Sequence, residues 1–159
     1  MKKERMNNKG FSLVELIIVI AIMAVLIVVL APQYLKYVEK SRNSTDITNA
    51  TEIVTALQVY ASDPDATTPI PDAAFDIKIS NADVTLTGYA KDALEEAGLA
   101  DSGKLTTRCV SRSNWTNYTI TATPDGKGGL KFSYSAGDAT DSSKKFSDAM
   151  AGVKATSTP

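Results

Sequence analysis

The sequence predicts an α+β protein in which one long N-terminal helix, half transmembrane and half amphipathic, packs on a small antiparallel β-sheet. Three observations carry that reading. From Phe11 to Ala31 runs an apolar stretch of 21 residues interrupted only by Ser12 and Glu15. From 33 to 62, apolar residues recur at helical spacing. From Phe75 to Tyr134, short segments alternate apolar and polar residues between Pro-, Gly- and Asp-rich breaks. A chain of 159 residues suits one compact domain plus a tail or anchor.

The first ten residues hold Lys2, Lys3, Arg5 and Lys9 against Glu4 and end in Gly10. Residues 11–32 follow as the apolar segment. Fifteen of the 21 residues from Phe11 to Ala31 are Leu, Ile, Val or Phe. Near mid-membrane such side chains favour insertion by about 0.3–0.6 kcal/mol each, or about 4.5–9 kcal/mol together. One acid costs about 2.5–3.5 kcal/mol there, so insertion wins even with Glu15 charged. The basic head places the N-terminus in the cytoplasm and everything after Pro32 outside. A cleaved secretory signal fits less well, because Pro32 directly follows Ala31 and the apolar run is longer than such cores usually are. A plain anchor explains the span but leaves Glu15 without a purpose, and an ionisable residue in a membrane segment points to function.

Residues 33–62 continue the helix in amphipathic form. Ile47, Ala50, Ile53, Val54, Leu57, Tyr60 and Ala61 fall on one stripe, with Lys36, Glu39, Lys40, Arg42, Asp46 and Glu52 assigned to the solvent side. Unbroken from Phe11 to Ser62, the helix would be about 78 Å long. Pro32 lacks an amide donor, which predicts a kink or a locally loosened turn in a helix that goes on. "DPDATTPIPD", 63–72, ends it. Asp63, Asp65 and Thr67 resemble part of a calcium loop but lack its central glycine and terminal glutamate, so the segment reads as a solvated acidic loop.

Residues 63–134 form the sheet domain. "FDIKI" reads as a strand, and "VTLTG" as another. "AKDALEEAGL" is a short amphipathic helix with Gly98 as its cap. "LTTRCVSR" and "WTNYTITAT" read as strands. "PDGKGG" is a turn, and "LKFSYS" returns from it. Residues 135–159 make a polar C-terminal tail in which "KKFSDAM" is the one candidate element.

Composition excludes several classes of function. The net charge is -1 overall, and without the first ten residues the body carries 13 basic and 17 acidic groups. Such a body is not steered toward nucleic acid by its overall field. There is no histidine, and the single cysteine, Cys109, permits no internal disulfide. Cys109 reads as a small buried apolar residue. No nucleophile–base pairing and no glycine-rich phosphate loop stands out, so an enzymatic reading has no residues to rest on and no cofactor or metal is implied. Arg108 and Arg112, placed on one face of the expected strand near Lys104 and Trp115, hint at a nucleic-acid or glycan surface, but a solvated face beside a core tryptophan is the better explanation.

The stretch "KGFSLVELIIVIAIMAVLIVVLAP" resembles the signal of type IV pilins and pseudopilins over about 25 residues. A basic leader ends in Gly10, Phe11 follows, Glu15 is the fifth residue after the glycine, and an apolar run leads to Pro32. The resemblance implies a type IV pilin-like fold. It implies cleavage by a prepilin peptidase between Gly10 and Phe11 and N-methylation of Phe11. It further implies polymerisation through the helix, with Glu15 neutralising the Phe11 amine of an adjacent copy. The implied partners are other copies of the chain, the peptidase, an assembly platform protein, a cytoplasmic ATPase and, before assembly, the membrane. A surface filament is the first functional expectation. A pseudopilin of a secretion or DNA-uptake machine and a filament-displayed adhesin for DNA or polysaccharide are the alternatives.

Overall fold

A computed structural model describes residues 10–137 and 140–154. The basic head up to Lys9 and the last five residues of the tail lie outside them. The chain divides into two compact units, Met1–Val38 and Glu39–Pro159. The first helix, α1 (Leu13–Ser62), contributes to both and continues through Pro32. Proline removes one amide from the ladder, so the Val28 carbonyl loses its usual i+4 donor, yet the helix does not stop there.

In the first unit every described side chain from Phe11 to Tyr37 is exposed. The best 18-residue window has a mean hydropathy of 3.4 with none of it buried, so the helix is long and apolar enough to cross a membrane. An all-round apolar helix with no covering partner has its stabilising surroundings outside its own chain.

The second unit is the α+β body. Strands β1 (Phe75–Ser80), β4 (Asn117–Pro124) and β5 (Leu130–Ala136) form a three-stranded antiparallel sheet in the order β1-β4-β5. Ile77 lies opposite Ile120, and Ala122 opposite Phe132. Alternation holds as expected: Ile77, Ile79, Tyr118, Ile120, Ala122, Phe132 and Ala136 are buried. They meet Ala50, Ile53, Val54, Leu57 and Tyr60 of α1 in one core. The β4–β5 turn is held by Asp125, whose carboxylate accepts the amides of Lys127 at 2.7 Å and Gly129 at 2.8 Å. Those bonds, with the Lys131 charge, hold its carboxyl below the usual range against slight desolvation.

Helix α2 (Gly88–Glu96) buries Tyr89, Ala90, Ala93 and Leu94. The Tyr89 ring meets Tyr60 edge-on at 5.2 Å, and its hydroxyl donates to the Leu57 carbonyl at 3.0 Å. Gly98, at φ 72°, ends the helix. Its amide reaches the Glu95 carbonyl and that of Leu99 reaches Leu94, a double bond pattern that needs a left-handed residue at this place. A two-stranded ribbon, β2 (Ala100–Asp101) with β3 (Lys104–Leu105), follows.

Three expectations are corrected. "VTLTG" makes one bridge, Thr85 to Lys104, and not a strand, because α2 begins at Gly88. "LTTRCVSR" is not a strand beyond Leu105: the amides of Thr106 and Cys109 find the carbonyls of Leu99 and Ser80, and those of Val110, Ser111 and Arg112 find carboxylates. Asp46, assigned to the solvent side, is fully buried. The tail, in turn, contains α3 (Thr140–Lys154), which takes in all of "KKFSDAM". Phe146, fully buried, stacks on Tyr118 at 4.8 Å and meets Trp115 edge-on at 5.2 Å. Met150, one turn on, is buried too.

Candidate functional site

Two sites emerge, one in each unit. The first is the head of α1. Phe11 is 87% exposed. Ser12 precedes the first helical residue, and its carbonyl accepts the Leu16 amide at 3.1 Å. Its own amide donates to Glu15 Oε2 at 2.9 Å. Glu15 therefore sits three residues past the cap and reaches back to it, which is one arm of a capping box. An acid in the first turn also faces the positive end of the helix dipole. The motif S-x-x-E in "SLVE" signals this bond in sequence. Gly10 has no structural need to be glycine: a Cβ there meets nothing within 4 Å, and its backbone lies outside the left-handed region.

The second site is a clamp in the body. Glu39 and Asp46 lie seven residues apart on α1, two turns along one face. Asp46 continues the buried stripe of Ala50, Ile53, Leu57 and Tyr60 one turn toward the N-terminus. Its Oδ1 accepts the Val110 amide at 2.9 Å. Its Oδ2 accepts the Ser111 amide at 3.0 Å, the Trp115 indole Nε1 at 2.8 Å and the Cys109 thiol at 3.4 Å. Glu39 Oε1 accepts the Ser111 hydroxyl at 2.7 Å and the amides of Arg112 at 2.8 Å, Ser113 at 2.7 Å and Asn114 at 3.4 Å. Its other oxygen meets Arg42 Nη1 at 3.5 Å.

These contacts set the electrostatics. Desolvation pushes the Glu39 carboxyl up, but the Ser113 amide, the Ser111 hydroxyl and the neighbouring amides more than offset it and bring it down to about 2. Burial, with the Asp46 charge beside it, pushes the Cys109 thiol up to about 12. That thiol is buried and protonated, so Cys109 is the small core residue its context suggested rather than a nucleophile.

The expected basic surface is not assembled as expected. Arg108 and Arg112 do not share a strand face. Arg108 pairs with Asp83, while Arg112 donates its backbone amide to Glu39. Trp115 is 5% exposed and points its indole at Asp46, so it offers no stacking surface. In the acidic loop, Asp63 accepts the Asp65 amide at 2.9 Å and Thr67 bonds the Tyr60 hydroxyl at 3.1 Å. Among the described residues no group of three or more acidic, histidine or cysteine side chains is placed to hold a metal ion.

The fold and the head of α1 together define a class: an α+β body carried on an apolar helix whose first turn holds an acid. Residues 5–31 match the family described as the prokaryotic N-terminal methylation motif. The chain thus carries the prepilin signal of type IV pilins and pseudopilins, and its helix-on-sheet body is consistent with a type IV pilin fold. That signal marks a membrane-anchored, pilin- or pseudopilin-like precursor, which points to a structural subunit rather than an enzyme, and it implies processing by a prepilin peptidase and polymerisation into filaments. Searches of curated proteins and of solved structures find no match to this chain.

Proposed function

We propose that the chain is the structural subunit of a type IV pilus-like surface filament. The observation that carries this reading is the methylation motif at residues 5–31 leading into a helix that is apolar on every side and covered on none. Lipid covers that surface before assembly. Neighbouring copies cover it afterward, through a heterologous contact that does not close and so extends as a fibre.

In this reading cleavage falls between Gly10 and Phe11, and Phe11 becomes the N-methylated terminus. The lack of any internal reason for glycine at Gly10 supports an external one, close access of a peptidase to the backbone. Glu15 then plays two parts in succession. In the separate subunit it caps its own helix through Ser12. In the filament it neutralises the Phe11 amine of the next copy, because a cation in a dry helical core needs a partner. Pro32 leaves the Val28 carbonyl free of its ladder bond and makes a point where the helix loosens during packing.

Mass spectrometry of the mature protein and electron microscopy of sheared cells test the reading together. The expected species begins at N-methylated Phe11 and occurs in long filaments. Glu15→Ala should still insert in the membrane and lose filaments. Normal filaments from that variant would remove Glu15 from assembly, and an intact Met1 would overturn the processing. Correct processing with only short fibres confined to the envelope would assign the chain to the pseudopilins.

A further inference from the structure

The body carries a cleft of about 590 Å³ beside the clamp. It is lined by Ser41, Arg42, Thr45, Asn81, Arg112 and Thr116, together with the Cys109–Ser111 chain. Two guanidinium groups from separate elements therefore border one space, one from α1 and one from the loop. The hydroxyls of Ser41, Thr45 and Thr116, the Asn81 amide and the apolar Val110 complete the lining, while the Ser111 hydroxyl is spent on Glu39. No carboxylate lines it.

The acids nearby are turned away from the cleft. Asp46 spends both oxygens on Val110, Ser111, Trp115 and Cys109. Glu39 spends one oxygen on four loop donors and holds Arg42 only at 3.5 Å with the other. A guanidinium has five N–H donors, so Arg42 keeps most of its own for a further acceptor. The Arg112 side chain is exposed and pairs with no carboxylate among the described residues.

We infer that this cleft binds a carboxylated sugar unit of an acidic polysaccharide. Arginine is the side chain suited to grip a carboxylate with two parallel N–H bonds. Ser41, Thr116 and Asn81 can each donate and accept, and Thr45, whose hydroxyl donates to the Ser41 carbonyl, can accept, which suits sugar hydroxyls. The cleft's volume falls in the range of small-molecule sites. Nucleic acid is the less suited ligand: Trp115 is buried, leaving no ring in the cleft for a base to stack on. This assignment rests on the body alone and is independent of whether the chain forms a pilus.

The test uses the full chain in detergent and calorimetric titration at low salt with trigalacturonate. Maltotriose serves as the neutral control and a short single-stranded oligonucleotide of equal charge as the competing anion. The expected result is saturable binding of trigalacturonate with a Kd of about 0.1–10 mM. Arg112→Gln should weaken it about ten- to hundredfold, since a charge-assisted pair is lost, and Arg42→Gln should do the same. Arg108→Gln, whose residue pairs with Asp83 outside the cleft, should bind as the parent does. Arg112→Gln keeps the backbone bond to Glu39, and the single tryptophan, Trp115, reports by its fluorescence that the loop stays folded. Absence of saturable binding, equal binding of maltotriose, tighter binding of the oligonucleotide, or an Arg112→Gln variant that binds like the parent would each overturn the assignment.

Discussion

The indole Nε1 of Trp115 donates to Asp46 Oδ2 at 2.8 Å, joining two buried residues 69 positions apart. With the amides of Val110 and Ser111, this bond fastens an irregular loop to the helix that carries the protein's anchor. A chain with one cysteine has no internal disulfide to do so. The two carboxylates of the clamp take that place.

Removing Asp46 should therefore cost more than a typical core change. Asp46→Ala leaves two amides and an indole N–H buried and unpaired, and the expected loss is about 2–4 kcal/mol. Asp46→Asn keeps an acceptor but turns an amide group toward a donor, so it should cost less than alanine and still destabilise. Denaturant unfolding followed by Trp115 fluorescence measures both. An alanine variant as stable as the parent would show that the loop is held by other means.

Glu39 gives the body an acid limit. Its carboxyl lies at about 2 in the folded chain against an ordinary value of 4.5. A depressed carboxyl stabilises the fold above the ordinary value, and that share is lost as pH falls from 4.5 toward 2. After allowance for solvent screening, the share is on the order of 1–2 kcal/mol. Glu39→Gln should be less stable at pH 7, and its stability should fall less steeply between pH 4.5 and 2. Parallel pH curves for the two proteins would contradict this.

Phe146 holds the C-terminal helix on the sheet. Its ring fills the space between Trp115 and Tyr118, and a Phe→Ala change in a core costs about 3–5 kcal/mol. Phe146→Ala should also release α3, so that the chain at the already exposed Lys144 and Lys145 unfolds and is cut by trypsin ahead of the rest of the body. Proteolysis at the parent rate at those lysines would mean that α3 has another anchor.

Tyr118 makes a prediction of opposite sign. It is fully buried, and its hydroxyl finds no hydrogen-bond partner among the described residues. Burial, with Asp46 and Cys109 near, pushes that hydroxyl above its usual range. Tyr118→Phe removes an unsatisfied group while keeping the stack on Phe146, so stability should be unchanged or higher by up to about 1 kcal/mol. A clear loss on unfolding would reveal a bonded hydroxyl.

Much of this protein is legible along the chain because its signals are local. The apolar run after Gly10, the stripe from Ala50 to Tyr60, and the alternation in β1, β4 and β5 each repeat with the period of the element they form. A helix or strand face is written at spacings of two to four residues, so sequence alone determined the long helix, the three strands β1, β4 and β5 and the turn between the last two, while the number of strands in the sheet was left to the fold. The methylation motif at residues 5–31 is local too, since its glycine, aromatic and acid are read by position.

The clamp and the docking of α3 are decided elsewhere. Asp46 and Glu39 look like solvent-side residues until the loop 64 to 75 positions away arrives with its amides. One trace was available: the buried stripe of α1, extended back from Ala50, lands on Asp46, an acid on an apolar face. Nothing local says which donors will meet it. The loop itself has a strand-like composition, but its amides from Val110 to Asn114 are taken by the two carboxylates of α1 and not by a ladder. Phe146, a lone aromatic in a polar tail, becomes core only because Trp115 and Tyr118 leave a slot of its shape. Pairings across long separations depend on which surfaces the rest of the fold leaves open, and only the tertiary structure decides that.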